Sequence, residues 1–458
     1  MLFCWSLLPW TLKDMKESVN INLPRQTTTY TCGLAVVEAA SILQDERVDQ
    51  DELVKSVSPD PVSGTSNSDL FALAKKYLKL SDEQAEWHSG LAIANIKNPD
   101  KGTGHYVLLL DEHEGAIRYW CPLHGQIISI PKEQLVWTSG DGVYENWFIN
   151  LEAGNVALSE IQSEPLAFII GDPIETLSPE TDTSLLIKSA YESSGVPVFW
   201  VLQTEISLIG EKLYLKGLPV NKNDRVWIRL DPVNTVQYYE TLRLLAQVKD
   251  VVFLNDPSLI LTTHDKLSSV PYRKKNIVTT IASTASLKTA LKHIDWRVGP
   301  SAYVLKAPSR FGGQAMYKCV THQDVEEKLP ELLNDSGYVI VEPYIESPQN
   351  PISTRVFVAN GEVIGAVDRV AADGDWRCNF HAGASVRKTV SIPQMAYDVA
   401  KQLADRGVFC AGLDFLMGEL TEINITCPAA IPRINEVTAT RTEKALIEAA
   451  WQWKGQTT

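Results

Sequence analysis

Apolar residues along this chain fall into short runs whose rhythm changes near residue 166. Ahead of that point, Cys32–Leu43 (CGLAVVEAASIL) is largely apolar and predicts a buried helix. Strand-like runs follow at 106–110, 117–120 and 126–130. Aspartate, histidine and glycine within 111–115 predict a hairpin turn between the first two. Residues 151–165 (LEAGNVALSEIQSEP) are small and polar with no strong period, which marks a linker. From 166 the pattern alternates: an apolar strand at 166–170, a helix at 182–194, a strand at 196–202. The same unit recurs as 227–230, 235–248 and 251–254. Parallel strands need a crossover between them, so this rhythm predicts an open parallel sheet. Further strands are expected at Tyr303–Lys306, 338–341, 355–358 and 362–366, with helices at 324–333 and 394–406.

Composition narrows the class. The chain has 458 residues, and 42 Lys or Arg against 56 Asp or Glu give a net charge of −14. Roughly 150 residues per domain suggests three domains. A hydrophobic share of 45% with 21% charged residues is ordinary for a globular protein and excludes disorder, collagen and coiled coil for the whole. The acidic balance argues against nucleic acid as a partner, since a phosphate backbone needs a basic face. A local basic pocket for a small anion stays open. No stretch reaches the roughly 18 apolar residues that a membrane span needs. Residues 1–10 are apolar but lack a basic start and a small-residue cleavage site, so neither a signal peptide nor a membrane partner is expected. Met15 is an alternative start. The seven cysteines (Cys4, Cys32, Cys121, Cys319, Cys378, Cys410, Cys427) are scattered, odd in number and without C-x-x-C spacing. Neither a disulfide framework nor a zinc site is signalled, and a reducing cytoplasm is the expected location.

Candidate chemistry first appears around Cys32. The cysteine opens a helix, where free N–H groups and the dipole favour a thiolate. Gln26 lies six positions upstream and can donate its amide to a developing oxyanion, beside the cysteine's own N–H. His105 begins a strand (GHYVLLL) and can serve as general base. A cysteine at this place in a helix is, taken alone, most often a small core residue. With Gln26, Thr31-Cys32-Gly33-Leu34-Ala35 and Gly104-His105-Tyr106-Val107 together, about 130 residues resemble the papain-like cysteine peptidases that cleave double-glycine leader peptides from bacteriocins. The resemblance implies a papain-like fold with Cys32, His105 and Gln26 as catalytic residues. One departure matters. The family places an Asp-Pro about sixteen residues after the histidine, and here that dipeptide is Cys121-Pro122. A neutral thiol does not stabilise an imidazolium as a carboxylate does. Three alternatives stay open: Asp111 or another acid substitutes, the triad is a dyad, or the domain binds without cutting.

A second constellation lies near the C-terminus. In Glu422-x-Asn424 both polar side chains share one face of a strand, because the side-chain period is two. Asp414 lies on the preceding strand-like run across a turn at Gly418. Three oxygen ligands can converge on a hard cation such as Mg²⁺. Upstream, a strand ends in Lys306, and Ser309-Arg310-Phe311-Gly312-Gly313 can lay backbone N–H groups over a polyphosphate. Residues 339–345 (VIVEPYI) form a strand broken by proline, a hinge whose backbone can face a purine. Arg355, Arg369 and Arg377 sit in or beside apolar segments, either paired with acids or used for anions.

Gly412-Leu413-Asp414-Phe415 and Thr421-Glu422-Ile423-Asn424-Ile425-Thr426 resemble the ATP-grasp ligases, and specifically the prokaryotic glutathione synthetases. The resemblance runs from about 166 to the C-terminus. It includes Gly171-Asp172-Pro173-Ile174, Arg229-Leu230-Asp231-Pro232, Asn255-x-Pro257 and Asp265-Lys266-Leu267. It implies ATP and Mg²⁺ as cofactors. Lys266, Lys306, Gly312 and Gly313 would hold phosphates, and Glu342 with the backbone of Tyr344 and Ile345 would meet adenine. Asp414, Glu422 and Asn424 would bind Mg²⁺. Arg355, Arg369 and Arg377, with Asn379, would neutralise the γ-phosphate and an acyl phosphate. Phe380-His381-Ala382-Gly383-Ala384 and Cys427-Pro428-Ala429-Ala430 depart from the family's Gly-rich loop and Ser-Pro-Thr-Gly, which puts glutathione itself in doubt as product.

The expected organisation is a multidomain α/β and α+β chain. A papain-like cysteine peptidase or amidase-like domain takes 16–155 and a linker 156–165. A pre-ATP-grasp open α/β sheet takes 166–258 and an ATP-grasp domain 259–458. The expected function is an ATP-dependent carboxylate–amine ligase fused to a cysteine hydrolase. The alternative is a peptide-modifying maturase whose N-terminal domain is an inactive module binding a leader or carrier peptide. An amino-acid or peptide carboxylate and an amine acceptor are the expected partners, and a homo-oligomer is compatible with the sequence.

Overall fold

The computed structural model describes residues 21–26, 31–60, 64–81, 87, 90–97, 104–113, 116–132, 148–152, 161–162, 165–232, 235–272, 279–281, 302–308, 315–346, 351–379 and 383–455. Two compact units divide the chain, Met1–Glu164 and Pro165–Thr458. No helix among the described residues is long and apolar enough to cross a membrane.

In the first unit the described elements are β1 (Ile21–Asn22), α1 (Cys32–Leu43), α2 (Gln50–Val57), α3 (Asn67–Tyr77), β2 (Ala92–Lys97), β3 (Gly104–His113), β4 (Ala116–Cys121), β5 (Gln126–Pro131), β6 (Phe148–Asn150) and β7 (Ile161–Gln162). Five of the strands form an antiparallel sheet in the order β5-β4-β3-β2-β6. Helix α1 is mostly apolar because most of it is covered, with Cys32, Glu38 and Ile42 half-buried. Leu34, Val37 and Ala40 pack in one core with Leu70 and Leu73 of α3 and with Leu108, Leu110 and Trp120 of the sheet. Asp49 and Ser66 cap α2 and α3 by accepting the N–H groups of Glu52 and Asp69. Gly33 lets α1 approach β3, since a Cβ there would lie 3.2 Å from the Tyr106 ring and 3.1 Å from Thr65.

Two expectations need correction here. The hairpin between β3 and β4 is tighter than 111–115, because Glu112 and His113 stay in the ladder opposite Ile117 and Ala116. The expected linker 156–165 is not structureless throughout. Ile161 and Gln162 form β7, which pairs in parallel with Ile21 and Asn22. Backbone pairing needs no apolar period, so composition alone hid it.

The second unit opens with β8 (Ala167–Gly171), α4 (Thr183–Ser193), β9 (Val198–Val201), a small antiparallel sheet of β10 (Ile206–Ile209), β11 (Lys212–Leu215) and β12 (Leu218–Pro219), then β13 (Arg225–Arg229), α5 (Val236–Leu245), β14 (Val252–Leu254) and α6 (Pro257–Thr262). Strands β14-β13-β8-β9 form a parallel sheet in that order. Phe168, Ile169 and Ile170 are wholly buried, as continuous apolar runs in a two-sided parallel sheet must be.

There follow β15 (Thr279–Ile281), β16 (Tyr303–Lys306), β17 (Met316–Cys319), α7 (His322–Ser336), β18 (Val339–Pro343), β19 (Ile352–Ala359), β20 (Glu362–Val370), β21 (Ser385–Lys388), α8 (Gln394–Asp405), β22 (Cys410–Leu416), β23 (Glu419–Asn424), α9 (Ile431–Thr438) and α10 (Thr442–Gln452). They build two antiparallel sheets, β15-β18-β16-β17 and β21-β20-β19-β22-β23. Helix α7 covers the first through Val325, Leu329 and Leu332. Helix α8 covers the second through Ala396, Val399 and Leu403. Trp227, Phe409 and Trp453 join the parallel sheet, the second antiparallel sheet and the chain end in one core.

Candidate functional site

Central strands of the two antiparallel sheets, with segments that follow the parallel strands, line a cavity of about 1050 Å³ in the second unit. Its walls include Lys266, Lys306, Glu342, Tyr344, Ile345, Arg355, Arg369, Arg377, Asn379, Asp414, Glu422 and Asn424. These twelve come from segments almost 160 residues apart in sequence, so their gathering is a product of the fold. Gly312 and Gly313 lie outside the described residues.

Strand register places the polar groups. On adjacent strands Arg355 stands opposite Asp414, and Asp414 opposite Glu422. Asn424 stands opposite Gly412 and donates to its carbonyl at 3.3 Å. Both oxygens of Asp414 accept from Arg355, at 2.5 and 2.7 Å, and Arg369 reaches Oδ1 at 2.8 Å. Burial alone would push the Asp414 carboxyl up. The two guanidinium groups override it and hold Asp414 down at about 2. Lys306 forms a buried ion pair with Glu342 and lies 3.9 Å from Glu422. Arg377 pairs with Asp375 at 2.8 Å on the outer wall. The three arginines are thus paired with acids in this structure. Lys266 donates from Nζ to the Pro308 carbonyl at 3.2 Å. Tyr344 donates its N–H to Ala302 at 2.8 Å, so that N–H is engaged within the fold. The Tyr344 ring meets Trp376 edge-on and carries the Lys318 ammonium over its face.

Asp265 acts as an organiser whose role the sequence did not reveal. It accepts from the Ile425 N–H at 3.1 Å and from the Thr426 hydroxyl at 2.6 Å, and its carbonyl takes the Ile423 N–H at 3.0 Å. Ser269 donates to the Thr421 carbonyl at 2.9 Å. Residues 265–269 therefore run beside β23 and fix the strand bearing Glu422 and Asn424. Trp376 and Arg433 also line the cavity, and nothing in the spacing of the sequence marks either. Cys427, at the far end, donates toward the Arg229 carbonyl, and burial pushes its thiol up to about 12.

In the first unit, Cys32 opens α1 with Thr31 at the N-cap. The expected low thiol pKa is overturned. Burial raises it, and the N–H groups of Tyr106, Gly33 and Cys32 itself recover only part of that cost. His105 is buried on β3, one residue before the Tyr106 amide that meets the Cys32 sulfur. Gln26 donates its backbone N–H to the Pro122 carbonyl at 3.0 Å, which ties it to the turn after Cys121. Asp111 is not the partner of His105. It forms a bidentate ion pair with Arg118 on the neighbouring strand. Nε2 of His105 instead meets Sγ of Cys121 at 3.2 Å. No disulfide joins the six described cysteines.

Comparisons with known proteins concern the second unit. The model of the prokaryotic glutathione synthetase ATP-grasp domain matches residues 266–439. The glutathione synthetase of Nostoc sp. is 28% identical over 329 residues, spanning 62% of this chain and 96% of that protein. That of Prochlorococcus marinus is 24% identical over 300 residues, spanning 60% and 96%. Among solved structures, the ATP-grasp ligase PsnB with a minimal precursor overlaps 62% of this chain and 98% of its own at a TM-score of 0.46 and 14% identity. The macrocyclase MdnC of Microcystis aeruginosa, bound to its precursor peptide MdnA, overlaps 63% and 100% at 0.44 and 14%. The C-terminal region carries a glutathione synthetase-like ATP-grasp domain, whose ligases use ATP and Mg²⁺.

Proposed function

We propose that the second unit is an ATP-dependent carboxylate–amine ligase and that the first is a cysteine hydrolase acting on a related amide or peptide bond. The ligase reading rests on one observation. Lysines, arginines, carboxylates and amides from distant segments converge on a single cavity. ATP and the two organic partners are its substrates. A substrate carboxylate takes the γ-phosphoryl group to give an acyl phosphate and ADP. The amine then attacks the acyl carbon, phosphate leaves, and the amine loses a proton.

The chain's own residues supply what that chemistry needs. Lys266 and Lys306 face the phosphates, and their charge offsets the polyanion in an acidic protein. Ile345 offers backbone to a purine beside Glu342. Asp414, Glu422 and Asn424 offer the oxygen donors that would hold a hard cation, and Mg²⁺ bound there would supply charge neutralisation for the phosphates. Arg355 and Arg369 are held in place by Asp414 before any substrate arrives, so they oppose developing charge without reorganising. Release of ADP that depends on Mg²⁺, a carboxylate and an amine is the expected result, and turnover without Mg²⁺ would refute the assignment.

A second reading is favoured by the half-buried Cys32 thiol, whose pKa desolvation raises. In it, the first unit binds a leader or carrier peptide without cutting it, and the chain is a peptide-modifying maturase. Iodoacetamide labelling of Cys32 separates the two. A labelling rate that collapses in His105→Ala supports hydrolysis, and a slow thiol indifferent to His105 supports binding.

A further inference from the structure

The cavity of the second unit has two kinds of wall. One, built on the antiparallel sheets, carries Lys306, Arg355, Arg369 and Asp414. The other comes from segments that follow the parallel strands: Asp231 after β13, Tyr238, Tyr239 and Leu242 on α5, and Ile260 on α6. Two side chains of this second wall lack a protein partner. Tyr238 is 3% exposed, yet among the described residues its hydroxyl makes no hydrogen bond. A buried hydroxyl left unpaired is costly, and a ligand that fills the cavity can pair it. The Asp231 carboxylate likewise makes neither a hydrogen bond nor an ion pair among the described residues, while its backbone N–H donates to Oδ2 of Asp172 at 3.1 Å.

The field at this wall is negative. Partial desolvation, then the charge of Asp172, pushes the Asp231 carboxyl up; Arg229 opposes this and Asp182, at the N-cap of α4, adds to it. Arg229 gives its donors to Oγ of Ser184 at 3.0 Å and to the Pro428 carbonyl at 2.9 Å, and to none of the three acids. The Tyr238 hydroxyl feels the same field. Burial, then negative charge at Cys427, Asp265, Tyr239 and Asp231, pushes it up, so it is a neutral phenol at pH 7.

The chemistry that answers such a wall is a cation. Among the described residues no three His, Cys, Asp or Glu side chains converge to hold a metal ion, so Asp172, Asp182 and Asp231 are not a metal cage. An organic ammonium needs less: a carboxylate contact, a lone pair from a hydroxyl and an aromatic face. The Tyr238 and Tyr239 rings lie edge to face with centroids 5.3 Å apart. Leu242 and Ile260 add apolar surface for an aliphatic stem.

We propose that Asp231, with Tyr238 and Tyr239, forms a subsite for an ammonium group carried on an aliphatic chain of the amine acceptor. This rests on the ligase reading of the second unit. A nitrogen held there as ammonium has no lone pair and cannot attack an acyl phosphate. The attacking nitrogen is a different one, so the acceptor carries two basic nitrogens, as a diamine or a basic amino acid does.

The test is calorimetric titration of the full chain, loaded with ADP and Mg²⁺, at about 150 mM salt, where distant charges are screened. The probe is 1,4-diaminobutane, and 1,4-butanediol is its neutral counterpart. The diamine is expected to bind at least about tenfold more tightly than the diol. Asp231→Asn removes that advantage, and Tyr238→Phe weakens the diamine about threefold to fivefold, with ADP affinity unchanged in both. Glu240→Gln, exposed on α5 and paired with Arg243, controls for general attraction to an acidic chain and stays within about twofold of wild type. Equal binding of diamine and diol, a preference that survives Asp231→Asn, or an equal loss in Glu240→Gln overturns the proposal. Failure of the ligase reading looks different: no pair of carboxylate and amine yields ADP, while the preference for the diamine persists and still disappears in Asp231→Asn.

Discussion

Asp414 shows how one side chain can serve both stability and chemistry. Its carboxylate is buried between Arg355 and Arg369, and losing it strands two buried cations. Asp414→Asn is expected to cost about 3–5 kcal/mol of stability in urea unfolding at pH 7. The sign with pH follows from its low folded pKa. The group's contribution is present above the ordinary carboxylate range and is lost as pH falls from about 4 toward about 2. The stability gap between wild type and Asp414→Asn should therefore narrow over that window, and a gap that widens would contradict the assignment. Loss of turnover in an Asp414 variant is consequently ambiguous between fold and metal. Glu422 is the cleaner probe, being more exposed and only 3.9 Å from its Lys306 neighbour. Glu422→Gln is expected to lower ADP release at least about a hundredfold, a loss of roughly 3 kcal/mol in transition-state stabilisation, while thermal unfolding stays near wild type. At Cys32 the raised thiol pKa predicts iodoacetamide labelling that keeps climbing past pH 9, with no plateau near neutrality.

At the scale of elements, most of the strands and helices that carry the site could be read from periodicity. Cys32–Leu43 and Tyr303–Lys306 have the expected bounds, and Gln394–Asp405 starts where expected and ends one residue earlier. Apolar runs and amphipathic faces specify such elements locally. What stayed illegible depends on pairing across the fold. The sheet β10-β11-β12 interrupts the strand–helix alternation, and α9 and α10 pack against α4 and β20. The Gly-x-Asp motif gains a physical reason only from the register. Gly412 faces Phe357 across the ladder, and a Cβ there would sit 2.8 Å from Nη1 of Arg355. Arg355 cannot yield easily, because Asp414 and the Ala429 carbonyl hold its guanidinium. Gly412→Ala is expected to cost about 1–3 kcal/mol and to reduce ADP release with the secondary structure retained in circular dichroism. Unchanged turnover would show that Arg355 has room to move.

At the scale of the whole molecule, the chain combines a net charge of −14 with a cavity whose walls carry five of the cationic side chains singled out from sequence. The candidate ligase residues were legible because their spacing repeats a known pattern of donors. The organiser Asp265 and the cavity residues Trp376 and Arg433 were not, since each depends on distant backbone for its position. The first unit was legible as a cysteine and a histidine, but the state of Cys32 turns on burial, which no spacing reveals. One measurement tests the ligase reading directly. Purified full-length protein is incubated with ATP, Mg²⁺ and a panel of amino acids, γ-glutamyl dipeptides and polyamines, with ADP quantified and products weighed by mass spectrometry. ADP is expected to form in step with a product equal in mass to carboxylate plus amine less one water, and to be abolished by removing Mg²⁺ and by Glu422→Gln. ADP release that persists undiminished without Mg²⁺ and in Glu422→Gln, or that yields no condensed product with any pair, would contradict it.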